Sequence, residues 1–110
     1  AYIASRTVGF DAVRSAVLTY DPPRVERITG VREAALRTCV RWLAEAEGAM
    51  ILTGRGPEQQ SKGVDTVLAF INLALALGKV GRPASGFGTL TGQGNGQGGR
   101  EHGQKADQLP

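Results

Sequence analysis

The sequence predicts a piece of an α/β protein that is itself mostly α-helical, with three main helices, one short parallel strand and a long glycine-rich loop. Three observations carry this reading. Apolar residues recur at helical spacing over two stretches of the first half. A short apolar run, Ala49-Met50-Ile51-Leu52-Thr53, is bounded by glycines, and its length favours a buried strand. Residues 86–103 hold eight glycines among amides, one arginine and one histidine. So few side chains build no core of their own, and glycine lets backbone N–H groups approach a ligand closely.

The elements follow in order. Over residues 7–20, Phe10, Val13, Val17 and Tyr20 fall on one face of a helix, which Asp21-Pro22-Pro23 stops. A short helical turn is expected over residues 24–28, and Thr29-Gly30 introduces the second main helix. There Leu36, Cys39, Val40, Leu43 and Ala46 form an apolar stripe, while Arg32, Glu33, Arg37, Arg41 and Glu45 lie mostly opposite. Gly48 ends it. Cys39, on the stripe, reads as a small buried core residue. After the strand, Gly54-Arg55-Gly56-Pro57 turns the chain into a third helix over residues 61–77, with Asp65 favourable in its opening turns and Gly78 closing it. The centre of this helix is apolar nearly all round, which predicts burial on several sides. That is more cover than a chain of 110 residues supplies. Helix, strand, glycine turn and buried helix form a layer whose other strands lie elsewhere.

Composition bounds the rest. A chain of 110 residues, 41% hydrophobic, is compatible with one modest core. Its apolar residues lie almost wholly before Val80, so residues 1–80 read as a helical, partly α/β segment and residues 81–110 as a glycine-rich loop that leans on that segment or on a partner. The two make a single partial domain, and the start at Ala1 rather than methionine suggests a fragment. The single cysteine, Cys39, allows no internal disulfide and no protein-only metal site, which makes a reducing, cytoplasmic compartment the default. The formal charge is +3, and Arg55, Lys62, Arg82, Arg100 and Lys105 stand near the glycines, where they can help bind phosphates. Aromatic residues are only 5% of the chain, and Phe87 alone lies in the glycine-rich region, so a stacking platform for nucleic-acid bases is missing. The longest apolar run, residues 67–77, is interrupted by Asn72 and is far shorter than the roughly 20 residues of a membrane span.

Two stretches suggest binding chemistry. In the first, Thr53-Gly54-Arg55-Gly56-Pro57-Glu58-Gln59-Gln60-Ser61-Lys62-Gly63, a strand hands over to a helix, the place where open α/β sheets bind ligands and helix N-termini offer N–H groups to anions. Neither familiar nucleotide motif fits: the dinucleotide fingerprint needs glycine where Gln59 stands, and the Walker pattern needs Gly-Lys-Ser/Thr where this chain has Ser61-Lys62-Gly63. An ordinary turn is the competing reading. In the second, Gln93, Asn95 and Gln97 alternate with glycines, and their amides supply paired donors and acceptors suited to a heterocycle edge. Flexible linkers more often carry Ser, Pro or repeats. Arg100 follows Gly98-Gly99, where its guanidinium can reach an oxyanion or remain a solvated charge. His102, the sole histidine, reads as a hydrogen-bonding residue rather than a metal ligand. No nucleophile and base are paired by spacing.

Taken together, Gly56-x-x-Gln59-x-x-x-Gly63, the helix ending Asn72-Leu73-Ala74-Leu75-Ala76-Leu77-Gly78, Gly81-Arg82-Pro83 and Thr91-Gly92-Gln93-Gly94-Asn95-Gly96-Gln97-Gly98-Gly99 resemble the molybdopterin oxidoreductases of the dimethyl-sulfoxide-reductase family. Residues 2–10 and 28–31 look like segments that precede this region in the same family. Gly54-Arg55-Gly56-Pro57-Glu58-Gln59-Gln60 and Gly98-Gly99-Arg100-Glu101-His102-Gly103 look most like bacterial assimilatory nitrate reductases, whereas formate dehydrogenases typically carry Arg-Gly-Gln-Asn-Asn in place of Thr91-Gly92-Gln93-Gly94-Asn95.

The resemblance implies a parent α/β enzyme in which two molybdopterin guanine dinucleotides clasp one molybdenum (Mo-bis-MGD), a [4Fe-4S] cluster delivers electrons, and nitrate is reduced to nitrite. It implies that Arg55, Gly56 and Gln59 stand where relatives touch a pterin, although many relatives carry methionine at the Arg55 position. Thr91, Gly92, Gln93 and Asn95 would approach the pterin and the metal pocket, and Arg100 would orient nitrate. The cysteines that bind the cluster and the protein ligand of molybdenum lie outside this chain in the family, and Cys39 matches neither. The parent would draw electrons from a ferredoxin, a flavodoxin or a nicotinamide-linked donor, in the cytoplasm, without nucleic acid or membrane as partner. The isolated chain is expected to be inactive. Three alternatives stand beside this reading: a formate dehydrogenase or another oxyanion reductase of the same family, a non-catalytic glycine-rich nucleotide- or RNA-binding module, and self-association of the fragment through its apolar third helix.

Overall fold

A computed structural model describes residues 1–104 of the chain. Lys105, among the cations noted above, lies outside the described residues. The elements run α1 (Tyr2–Arg6), α2 (Phe10–Val17), α3 (Pro22–Thr29), α4 (Glu33–Glu45), β1 (Met50–Thr53), α5 (Arg55–Glu58), α6 (Gly63–Ala76), β2 (Gly86–Thr89) and α7 (Gly96–Glu101). The described residues are thus mostly helical, with a two-stranded parallel sheet, as expected for part of an α/β enzyme.

The first half is held by local chemistry. Asp21 caps α3 by accepting the Arg24 N–H at 2.7 Å, and prolines occupy the opening positions, where their missing N–H costs nothing. The Glu26 carboxylate accepts the Glu33 N–H at 2.7 Å and so joins α3 to the start of α4. Within α4, Leu36 and Leu43 are half-buried while Cys39 is exposed. The expectation of a buried Cys39 is therefore corrected: α4 packs mainly along α3, which covers a narrower strip than the apolar stripe spans.

The helix expected over residues 7–20 is the shorter α2, Phe10–Val17, and a further short helix, α1, precedes it. Gly9 separates α2 from α1, a turn that the spacing of apolar residues does not announce. Tertiary contact anchors α1: the Tyr2 hydroxyl donates to the Val80 carbonyl at 2.8 Å. The segment Gly54-Arg55-Gly56-Pro57 winds into the single-turn helix α5 rather than an open turn. Gly78 closes α6 as expected, with its N–H on Leu75 and that of Lys79 on Ala74.

The chain then returns to the sheet. In the loop expected from residue 81 onward, Gly86–Thr89 forms β2, which pairs with β1 in the register Met50↔Gly86, Ile51↔Phe87, Leu52↔Gly88 and Thr53↔Thr89. Gly86 and Gly88 disfavour a strand and offset the β-propensity of Phe87 and Thr89, so the sequence does not mark one here. Its conformation comes from the edge that β1 offers, continued beyond the strand at each end by the Gly86 N–H on Ala49 and the Leu90 N–H on Thr53. Two further bonds tie this return: Lys79, only 4% exposed, donates its Nζ to the Ala46 carbonyl at the C-terminus of α4, and the Ser85 hydroxyl accepts the Ala49 N–H at 3.2 Å.

Partners in register share a face of the sheet. Thr89 lines a cleft with Val64, Val67 and Leu68, so the face bearing Ile51, Thr53, Phe87 and Thr89 is turned to α6. The opposite face is bare, with Met50 56% and Leu52 53% exposed beside glycines. The third helix was expected to be buried on several sides. In α6 only Gly63 and Ala74 are buried, Val64 is 75% exposed, and an apolar groove of about 650 Å³ runs between α6 and Phe10, Val13 and Val17 of α2. The reason is the shortage of cover that the length of the chain implies.

Candidate functional site

Thr53 and Thr89 end β1 and β2 at the same level, so the segments that follow them leave the sheet side by side. This is where ligands bind in open α/β sheets. The post-β1 segment carries Arg55, Gly56 and Gln59, and the post-β2 segment carries Thr91, Gly92, Gln93 and Asn95, followed by Arg100 in α7.

Two of the sequence-predicted groupings meet. Arg55 lies against Gly92: a Cβ built on Gly92 would stand 3.1 Å from Arg55 Cδ and 3.3 Å from its Nη1. Thr91 and Arg100 share a cleft of about 370 Å³ with Glu58, Val64, Leu68 and Thr89. Gln59, Gln93 and Asn95 are exposed and do not line that cleft, so the structure brings the amides to the same end of the sheet without converging them on Arg100. Asn95 stands at φ 57° as the residue preceding α7, and the Thr91 hydroxyl donates to the Gln93 carbonyl at 2.8 Å, which folds the loop back on itself.

Glu58 was missed as a neighbour of Arg100. Its position beside Pro57 and Gln59 in sequence signals a turn, and only the packing of α5 on α6 carries it into the cleft. That packing depends on Gly63, whose added Cβ would stand 2.8 Å from the Glu58 carbonyl carbon.

Among the described residues, the side chains of Arg55, Gln59, Gln93, Asn95 and Arg100 make no hydrogen bond or ion pair, and the ion pair that does occur, Arg37 with Glu33 at 2.7 Å, lies on α4. Thr53 is 3% exposed, and its Oγ1 is a buried side-chain atom with no hydrogen-bond partner among these residues. No three His, Cys, Asp or Glu side chains converge among them, and no described helix is long and apolar enough to cross a membrane. What the site offers is cationic and amide groups, unpaired among the described residues, at the carboxyl ends of two parallel strands, suited to a polar, anionic ligand.

Known proteins resemble this sequence. The chain is 45% identical over 109 residues to the assimilatory nitrate reductase catalytic subunit of Bacillus subtilis (strain 168), covering 99% of this chain and 15% of that protein. It is 41% identical over 110 residues to formate dehydrogenase H of Escherichia coli (strain K12), covering 100% of this chain and 15% of that one. Protein YdeP of Escherichia coli (strain K12) is 35% identical over 99 residues, 90% of this chain and 13% of its own length. The chain thus spans about 15% of the length of the first two relatives. No solved structure matches it significantly. A family model for molybdopterin oxidoreductases matches residues 30–110, which takes in both strands, α6 and the whole candidate site, and the chain belongs to the molybdopterin oxidoreductase family.

Proposed function

We propose that this chain is part of a molybdenum-dependent nitrate reductase, in which it supplies one wall of the cradle for Mo-bis-MGD and an arginine, Arg100, that orients nitrate. The observation that carries the reading is the convergence of the segments following β1 and β2, with Arg55 over Gly92 on one side and Thr91 with Arg100 in one cleft on the other.

The donor set fits a pterin dinucleotide. A phosphate calls for cationic N–H donors and a pterin edge for paired amide groups, and Arg55, Gln59, Gln93 and Asn95 are exposed with side chains unengaged among the described residues. Gly56, where an added Cβ would meet nothing within 4 Å, leaves backbone open to close approach. When bound, the cofactor supplies two-electron oxygen-transfer chemistry, by which nitrate, two protons and two electrons become nitrite and water. Arg100 holds the planar anion by parallel hydrogen bonds and balances its charge. The Thr91 hydroxyl is engaged by the Gln93 carbonyl, and the charged residues lining the cleft are Arg100 and Glu58. The parent supplies the [4Fe-4S] cluster, the molybdenum ligand and the docking site for a ferredoxin, flavodoxin or nicotinamide-linked donor in the cytoplasm.

The 41% identity to formate dehydrogenase H supports a second reading, formate oxidation on the same scaffold. The full-length polypeptide that contains this segment tests both. Nitrate-dependent oxidation of a reduced viologen, lost in Arg100→Ala, is the expected result. Formate-dependent dye reduction without nitrate turnover overturns it in favour of the second reading. The isolated 110-residue chain is expected to turn over no nitrate with the same reductant.

A further inference from the structure

Arg55 and Gly92 follow different strands, yet the arginine lies lengthwise over the glycine. A Cβ at Gly92 would stand 3.1 Å from Arg55 Cδ, 3.3 Å from Nη1 and 3.8 Å from Nε, so stem and guanidinium both occupy the space that a side chain at residue 92 would fill. Gly92 is absent from the glycines with positive φ, so its backbone does not require glycine. What glycine provides at residue 92 is room for the arginine.

No hydrogen bond or ion pair among the described residues holds the Arg55 side chain, and the residue is exposed at the carboxyl ends of β1 and β2. A guanidinium stays charged at any working pH and presents a planar fork matched to oxyanions. We infer that Arg55 and Gly92 form one positioning unit, in which the bare face of the glycine sets where the arginine presents its fork to a phosphate oxyanion of the dinucleotide cofactor. The inference rests on the cradle reading above and deepens it. The side chain that meets the phosphate comes from the post-β1 segment, and the surface that aims it comes from the post-β2 segment.

The unit makes a distinctive prediction. A methyl group at residue 92 meets the movable end of a side chain rather than backbone, so Gly92→Ala displaces the guanidinium while leaving the fold intact. The test uses the full-length enzyme purified with its cofactor, in four forms: wild type, Arg55→Met, Gly92→Ala and the double variant. Retention is read as molybdenum by mass spectrometry and as guanosine monophosphate released by acid, followed during dialysis. KM for nitrate and melting of the cofactor-free protein are measured alongside.

Expected is cofactor loss about tenfold faster in each single variant, the effect of one weakened hydrogen bond to a charged group. The double variant should lose cofactor no faster than Arg55→Met, because residues acting as a unit are not additive. Melting of the cofactor-free protein should stay unchanged. Three results would overturn the inference: single effects that multiply in the double variant, normal retention in either single variant, or a raised KM for nitrate with normal retention, which would assign the fork to substrate. Wild-type enzyme carrying neither molybdenum nor guanine nucleotide would overturn the cradle reading as well.

Discussion

Replacing Thr53 by valine should stabilise the chain, against the usual direction for a buried threonine. Thr53 ends β1 on the face turned to α6, is 3% exposed, and its Oγ1 has no hydrogen-bond partner among the described residues. A hydroxyl withdrawn from water without a partner costs about 1–3 kcal/mol. Valine has nearly the same shape and β-branching, so the strand and its packing are preserved, and it exchanges that hydroxyl for a methyl group. The expected gain is about 1–2 kcal/mol, the lower part of that range, because some of the penalty is relieved by local relaxation. Equilibrium urea unfolding of the 110-residue chain measures it, as a higher midpoint at unchanged slope. Thr53→Ser is the companion: it keeps the hydroxyl, removes the methyl group and should lose about 1 kcal/mol. The reasoning is refuted if Thr53→Val is less stable than wild type by more than about 0.5 kcal/mol, the scatter of neutral substitutions, since that would mean the hydroxyl has a partner within the chain.

Four other expectations follow from particular contacts. Gly63→Ala would place a Cβ 2.8 Å from the Glu58 carbonyl carbon, and because backbone cannot yield as a side chain does, a loss of about 2 kcal/mol or more is expected in urea unfolding. A loss under about 0.5 kcal/mol would show that the α5–α6 corner is not tight. Asp21→Ala removes the cap of α3 and should cost about 1 kcal/mol in the same assay, with Asp21→Asn recovering most of it. In the full-length enzyme, Arg100→Ala should lower kcat/KM for nitrate by about 100-fold or more, the effect of removing a donor aimed at developing negative charge. Arg100→Lys should recover little, because an ammonium lacks the planar fork; full recovery would assign Arg100 to general charge. Finally, the isolated chain should self-associate through the groove between α2 and α6, and Leu68→Lys should shift light scattering toward the monomer. Monomeric wild type at high concentration would contradict this.

Much of the fold was legible because local patterns were strong. Asp21-Pro22-Pro23 ends one helix and starts the next through a side-chain cap and a missing N–H. The apolar run before Gly54 formed β1, and Gly78 closed α6. Cys39 was misjudged because periodicity defines an apolar face but not how much of that face a neighbour covers. In the site, the strand-to-helix handover and the glycine-rich stretch pointed to Arg55 and Arg100, and the family resemblance implied Thr91 and Gly92 as candidates. That Arg55 lies over Gly92, or that Glu58 shares the cleft of Arg100, had no signal in the sequence, because each pairing joins segments far apart along the chain.

By itself the sequence determined α2, α3, α4 and α6 in outline, the first strand, the shortage of cover for α6 and the residue types that a polar, anionic ligand would need. These depend on hydrophobic spacing, caps and breakers, whose effects act over a few residues. Tertiary structure alone decided that Gly86-Phe87-Gly88-Thr89 is a strand, because only the open edge of β1 supplies its backbone partners. That pairing ends both strands at Thr53 and Thr89 and sets the two candidate-site segments side by side. A glycine-rich stretch with little conformational preference of its own thereby comes to stand beside the post-β1 segment in the candidate site.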